Sequence, residues 1–199
     1  MRRNRVIISL TILLTTITYS CSNSSEDEQI EFDNGEVDEG STKNDIPNGQ
    51  GTYTWSNGDK FVGEFKDGEI EGKGTYYFSN GGKCVGQFKN GLINGYGKNY
   101  LSDGNRYEGN FQDDMCHGFG KFYYANGDKF EGYHVNDSRE GKGTYFWADG
   151  DTQTCNYDND IEDGLATRIQ KDGKVYKGQL KNGNGTLTNV TDENDFFEN

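Results

Sequence analysis

The residues able to do chemistry are few in this chain, and their spacing does not gather them. There are two histidines and four cysteines. Cys116 and His117 are adjacent, a pairing that would suit an activated thiol or a metal ligand. Neighbours on a strand point to opposite sides, however, and no third ligand recurs beside them. His134 falls where equivalent segments carry an aromatic ring, so it is expected to pack as a structural residue. The acidic run Asp158-Asn159-Asp160-Ile161-Glu162-Asp163-Gly164 invites a calcium reading. A calcium loop of the helix-loop-helix kind would need glycine at Asp163 and glutamate at Ile169, so solvated loop acids are expected instead. Gly-x-Gly is frequent, but no strand-then-helix context makes any of these a nucleotide loop. No catalytic residues, metal ligands or cofactor are expected.

Cys21 offers a different chemistry, acylation. Arg2, Arg3 and Arg5 precede an apolar run, Val6 to Tyr19, and then Ser20 and Cys21. This is the layout of a secretory signal peptide, and the run is shorter than the roughly 20 apolar residues a membrane-spanning helix needs. Thr18-Tyr19-Ser20-Cys21 resembles a bacterial lipobox, which implies a lipidated Cys21 as the mature N-terminus. Thr18 stands where leucine is usual. Simple secretion is the alternative; Asn136, Asn184 and Asn189 then head glycosylation sequences. Residues 22–48 hold nine acids against Lys43 alone. Few apolar residues and no repeat mark 21–48 as a disordered acidic tether.

What must position any functional surface is a repeat. Gly49, Gly72, Gly95, Gly118, Gly141 and Gly164 are spaced by 23 residues. A second comb, Gly51, Gly74, Gly97, Gly120 and Gly143, follows two residues later, with Ala166 in the sixth place. A period this short marks an array of one stacked unit. Aromatics alternate at the first and fifth places of the unit, as in Phe61 and Phe65 or Tyr107 and Phe111, with Gly63, Gly86, Gly109 and Gly132 between them on the same strand face. A glycine there leaves room for a ring to lie over the backbone. Asn57-Gly58, Asn80-Gly81, Asp103-Gly104 and their equivalents predict tight turns with positive φ. A longer Lys-Asp-Gly-Glu-type loop is expected to close the other side. In register, Trp55, Phe78, Leu101, Tyr124 and Trp147 form one column, and Phe65, Phe88, Phe111, His134 and Tyr157 another.

The unit resembles the MORN repeat (membrane occupation and recognition nexus): aromatic-x-Gly-x-aromatic, then x-x-Gly, then a Gly-x-Gly comb. Phe61-Val62-Gly63-Glu64-Phe65 with Gly68, Gly72 and Gly74 matches throughout. In the unit opening at Tyr107, Asp114 replaces the middle glycine. The resemblance runs from Gly49 to Leu187, leaving 188–199 as an acidic tail. It weakens at Gln153, Cys155 and Asn156, where a loosened or shifted strand is expected. The fold class is therefore all-β: an elongated, single-layer, twisted antiparallel meander of β-hairpins behind a disordered acidic linker. The resemblance implies binding and scaffolding rather than catalysis.

The formal charge is −13. Loss of a leader with three arginines and no acids takes it near −16, and the array from Gly49 to Gly185 carries about −4. Nucleic acid is excluded as a partner, because its binding needs clustered Lys and Arg. Docking on anionic lipid is weakened for the same reason. Lys60, Lys83, Arg106 and Lys129 share one repeat position and are read as solvated turn residues. Cys84, Cys116 and Cys155 occupy unlike repeat positions, so no disulfide framework is legible; Cys84 is expected to stand in for an aromatic as a small apolar residue.

The function expected is that of a non-enzymatic binding or scaffold protein at the cell envelope, anchored through Cys21. Its contact row would be Tyr77, Tyr100, Tyr123 and Phe146, on the face opposite Phe78 and Tyr124. The partner would be a protein or another envelope component. Phospholipid-surface recognition is one alternative, and self-assembly through unpaired end strands another.

Overall fold

A computed structural model describes residues 28–31, 37–44 and 46–190. The leader at 1–20 and Cys21 lie outside the described residues. The strands are β1 (Glu28–Glu31), β2 (Val37–Lys43), β3 (Ile46–Thr54), β4 (Lys60–Lys66), β5 (Glu69–Tyr77), β6 (Lys83–Lys89), β7 (Leu92–Tyr100) and β8 (Arg106–Gln112). They continue as β9 (Met115–Tyr123), β10 (Lys129–Val135), β11 (Ser138–Phe146), β12 (Thr152–Asp158), β13 (Ile161–Ile169), β14 (Val175–Leu180) and β15 (Thr188–Asn189). All fifteen lie in sequence order in one open antiparallel sheet. The all-β meander expected from the sequence is what the chain forms. Strand pairing reaches back to Val37, which pairs with Thr54, twelve residues before Gly49.

The hairpin ends are the reverse of the sequence expectation. The tight turn is Asp67-Gly68, both with positive φ (50° and 87°), between strands ending at Lys66 and starting at Glu69. Two such residues match the right-handed strand twist in a two-residue hairpin. The Asn80-Gly81 side is instead a five-residue connection in which Phe78 N donates to the Gly82 carbonyl and Gly81 N to that of Phe78. Both dipeptide types look alike in sequence; only pairing distinguishes them.

The tight turns also join neighbouring repeats. Gly91 N donates to the Ile70 carbonyl at 3.0 Å, and Asp114 N to that of Ile93 at 3.1 Å. Asp114 replaces glycine at φ 68°, a conformation that Asp tolerates. In return its carboxylate accepts a bond from Ile93 N at 2.9 Å. Asp137 and Asp160 repeat this, accepting from Cys116 N and Arg139 N. At the other hairpin end Asp59, Asn105, Asp128 and Asp151 accept from Ser79, Ala125, Ala148 and Lys171 N of the next repeat. Burial alone would raise the Asp59 carboxyl, but the Ser79, Tyr76 and Asn57 donors outweigh it and hold it below its usual value.

The two glycine combs answer different needs. Gly72 sits at φ 90° beside the register shift between β4 and β5, where an ordinary residue would be strained. Gly74 pairs directly with Gly63, and the Phe61 ring lies over both. A Cβ at Gly63 would stand 2.6 Å from Phe61 Cζ. Tyr107 covers Gly109 and Gly120 in the same way, and Phe130 covers Gly132 and Gly143. Each ring meets its own fifth-place ring edge-on, as in Phe61–Phe65 at 5.4 Å. Most also meet that of the next repeat, as in Phe61–Phe88 and Phe130–Tyr157, both at 5.1 Å. Such pairs add about 0.5–1.5 kcal/mol each beyond burial. Where Cys84 replaces the ring, the side chain is buried and Ile93 Cδ1 reaches over Gly86 and Gly97 instead.

The repeat from Gln153 does not loosen. β12 keeps seven residues and pairs with both neighbours. Gln153 takes the ring's place and donates to Glu162 Oε2 at 3.0 Å. With no ring to admit, Cys155 and Ala166 stand where the glycine pair would be, and both are buried.

His134 bridges the two halves of the core, edge-on to Tyr107 at 5.2 Å and to Phe130 at 5.5 Å. Burial holds its imidazole below the usual value, against the opposing charge of Asp160.

Two outcomes follow from this packing. Gly63→Ala should cost about 1–3 kcal/mol through overpacking, whereas Ala166→Gly, at the same kind of position without a ring, should cost about 0.5–1 kcal/mol; urea midpoints read both, and a neutral Gly63→Ala would refute the ring-over-glycine contact. Because His134 binds its proton less readily folded than unfolded, the unfolded state takes up more protons as pH falls. Stability is full above the unfolded value near 6.5 and declines as pH falls below it. His134→Phe should remove that decline between pH 7.5 and 5.5 in the same denaturation assay.

Candidate binding face

Strand alternation turns one set of side chains inward onto the glycine stripe and the next set outward. On the outer face, each repeat contributes a strand-opening cation and a strand-closing aromatic. Lys60 pairs with Tyr77, Tyr77 with Lys83, Lys83 with Tyr100, Tyr100 with Arg106, and Arg106 with Tyr123. Lys129 continues the row between Tyr123 and Phe146. The four cations are therefore not turn residues, as the sequence suggested. They interleave with the whole expected contact row, because first and last residues of adjacent strands are cross-strand neighbours. Arg106 Cζ stands 4.1 Å from the Tyr123 ring centre, Lys129 Nζ 4.0 Å from Phe146 and Lys83 Nζ 5.0 Å from Tyr100. Cations over rings gain about 0.5–1 kcal/mol at exposed sites.

The contact residues differ in exposure. Tyr77 is 42% exposed, while Tyr100, Tyr123 and Phe146 are half-buried by their flanking cations and neighbours. Trp55, Tyr76, Phe78, Phe122, Tyr124, Tyr145 and Trp147 form the opposing inner ladder, with centroids 4.7–5.6 Å apart. Tyr76 and Tyr145 donate to Asp59 and Asp128, which together with burial pushes both phenols well above their usual values.

A second outer row was missed in the sequence. Tyr96, Phe119 and Tyr133 are each about half exposed, and Phe119 meets Tyr133 edge-on at 5.6 Å. Its signal lay within the comb itself: Tyr96 and Phe119 are the middle residues of Gly-x-Gly, so they must face away from the ring-covered glycines. Between the two aromatic rows run ion pairs, Lys98–Glu108 at 2.8 Å and Lys121–Glu131 at 3.1 Å. Lys129 also reaches Glu131, at 2.8 Å. Tyr96 donates to Glu108 Oε1 at 3.0 Å. A shallow open trough lies along this face, floored by Gly63, Gly74 and Gly86 and walled by Val62, Val85 and Tyr96.

The chemistry candidates are dispersed. Cys116 packs against the inner core, so alternation turns His117 to the other face. Asn159-Asp160 is a tight turn whose Asp160 binds Arg139 Nε at 3.0 Å. Among the described residues no group of three or more His, Cys, Asp or Glu converges as a metal site would require.

With the repeat geometry established, comparison with known families assigns it. The MORN repeat model matches residues 39–60, 61–83, 84–106, 107–129 and 130–152. The chain belongs to the MORN repeat family. MORN arrays are binding and scaffold modules, and the array here continues structurally through β12 to β14, past the last matched residue. No curated protein matches the sequence. Two solved structures are similar in part. The TCP domain of Drosophila melanogaster SAS-4 (dCPAP), solved with a proline-rich motif of Ana2 (dSTIL), is 13% identical at TM-score 0.40, covering 87% of this chain and 97% of that one. The TCP10 domain of Danio rerio CPAP is 16% identical at TM-score 0.35, covering 81% and 87%.

Because Tyr123 borders solvent on one side and Arg106 on the other, Tyr123→Ala should cost no more than about 1–2 kcal/mol and leave the β-sheet circular dichroism unchanged. Phe61→Ala, from the inner face, should cost about 3–5 kcal/mol. Equal losses in thermal denaturation would contradict the division between the two faces.

Proposed function

We propose that this MORN protein is a non-enzymatic binding or scaffold component of the cell envelope, and that its outer sheet face contacts a protein partner. The supporting observation is the outer cation–aromatic row. Tyr77, Tyr100, Tyr123 and Phe146, interleaved with Lys60, Lys83, Arg106 and Lys129, stand on the face that the core does not use. Aromatic and basic side chains are the types that anchor protein interfaces. The envelope assignment has separate support in the basic start, apolar run and Ser20-Cys21 junction. Cys21 is the acylated residue of this reading, and it holds the array at the membrane through lipid rather than through a spanning segment.

Two measurements test the two parts. Mass spectrometry of the mature N-terminus should find an acylated Cys21; an intact leader or a free amine at another residue would overturn the anchor. Pull-down from envelope extracts should lose its specific partner when Tyr100 and Tyr123 are both changed to Ala. Retention by that variant would overturn the binding face and leave the anchor standing.

A further inference from the structure

The repeat imposes a length that a ligand can match. Lys60, Lys83, Arg106 and Lys129 each open a strand, one per repeat, and a repeat is two strands wide. Strands lie about 4.8 Å apart, so successive cations recur at about 9.6 Å along the sheet. One aromatic ring stands between each pair. The rings hold the cations in place without cancelling their charge. Arg106 retains unspent donor capacity, since its Nε is shielded from solvent and has no hydrogen-bond partner. Lys129 is the most internally answered of the row, because it shares Glu131 with Lys121.

Few polymers carry one anion per 9.6 Å on a single face. A β-strand returns to the same face every two residues, about 6.7 Å, and its third residue points away. An α-helix returns every turn, about 5.4 Å. Duplex DNA carries a charge every 1.7 Å or so, far denser than this row. A polyproline II helix has three residues per turn at about 3.1 Å each, so one face recurs at about 9.3 Å. The difference, about 0.3 Å per repeat, grows to about 1 Å over four cations, which a lysine stem absorbs.

We infer that the outer face binds an extended acidic peptide in the polyproline II conformation, running across the strands with a carboxylate at every third residue. Those carboxylates sit on Lys60, Lys83, Arg106 and Lys129. The two residues between them lie against Tyr77, Tyr100 and Tyr123, as extended segments do in aromatic-lined grooves. The inference rests on the binding face proposed above and names its partner class. Charge complementarity is local: the array as a whole is acidic, so an anionic partner is drawn to this row and repelled elsewhere.

The test uses fluorescein-labelled peptides and fluorescence anisotropy with the purified chain. (Glu-Pro-Pro)5 should bind at least tenfold more tightly than (Glu-Pro)7, which has the wrong period, and than (Gln-Pro-Pro)5, which has no charge. Arg106→Glu and Lys83→Glu should each weaken (Glu-Pro-Pro)5 at least tenfold with unchanged melting, while Lys171→Glu, on a turn outside the row, should not. Equal affinity for the two glutamate periods would overturn the register. Absence of binding to any of the peptides would overturn the partner class. So would binding to phosphatidylserine vesicles that (Glu-Pro-Pro)5 fails to displace. If the extract partner still depends on Tyr100 and Tyr123 while the peptides fail, the binding face stands and only this inference falls.

Discussion

A ring laid across two backbones is the interaction on which this sheet depends. Phe61, Tyr107 and Phe130 each cover a directly paired glycine couple, one glycine from their own strand and one from the next. A single-layer sheet has no second sheet to bury its inner face against. It acquires a core only because these rings sink to backbone depth and are then walled by fifth-place rings and by Ile70 or Ile93. Any Cβ beneath a ring would lift it and open that core to water. The exception supports the rule: where Gln153 removes the ring, Cys155 and Ala166 replace the glycines and fill the space.

With the inner face closed, the alternate residues are free to differ without cost to the fold. They supply the cation–aromatic row and the ion-paired strip beside it. Exposed ion pairs contribute little to stability, about 0–1 kcal/mol, so this face is set by what it meets rather than by what it holds together. The carboxylates that do serve the fold lie at the hairpin ends, where Asp59, Asp128 and Asp151 join one repeat to the next. A chain rich in acids thus uses some of them as backbone acceptors and keeps a basic line on its outer surface.

Much of this was legible in the sequence. The 23-residue period, the alternation of Phe61 and Phe65 and the glycines between them carry the all-β meander, because strand periodicity and repeat length are local properties. Tyr77, Tyr100, Tyr123 and Phe146 could be placed opposite the core for the same reason. The role of Lys60, Lys83, Arg106 and Lys129 could not: each is next to a turn in sequence, and only pairing sets it beside a ring. Asp114 looked like a lost glycine because the N–H it accepts from, that of Ile93, is 21 residues away.

The sequence by itself determined the unit: its length, its strands, its two glycine combs and the pattern of rings, since these follow from steric and periodic rules acting within a few residues. Tertiary structure decided which dipeptide makes the tight turn, which glycines are needed for φ and which for space, and how a degenerate repeat stays closed. Those choices depend on the strand alongside, and register between strands is a property of the assembled sheet.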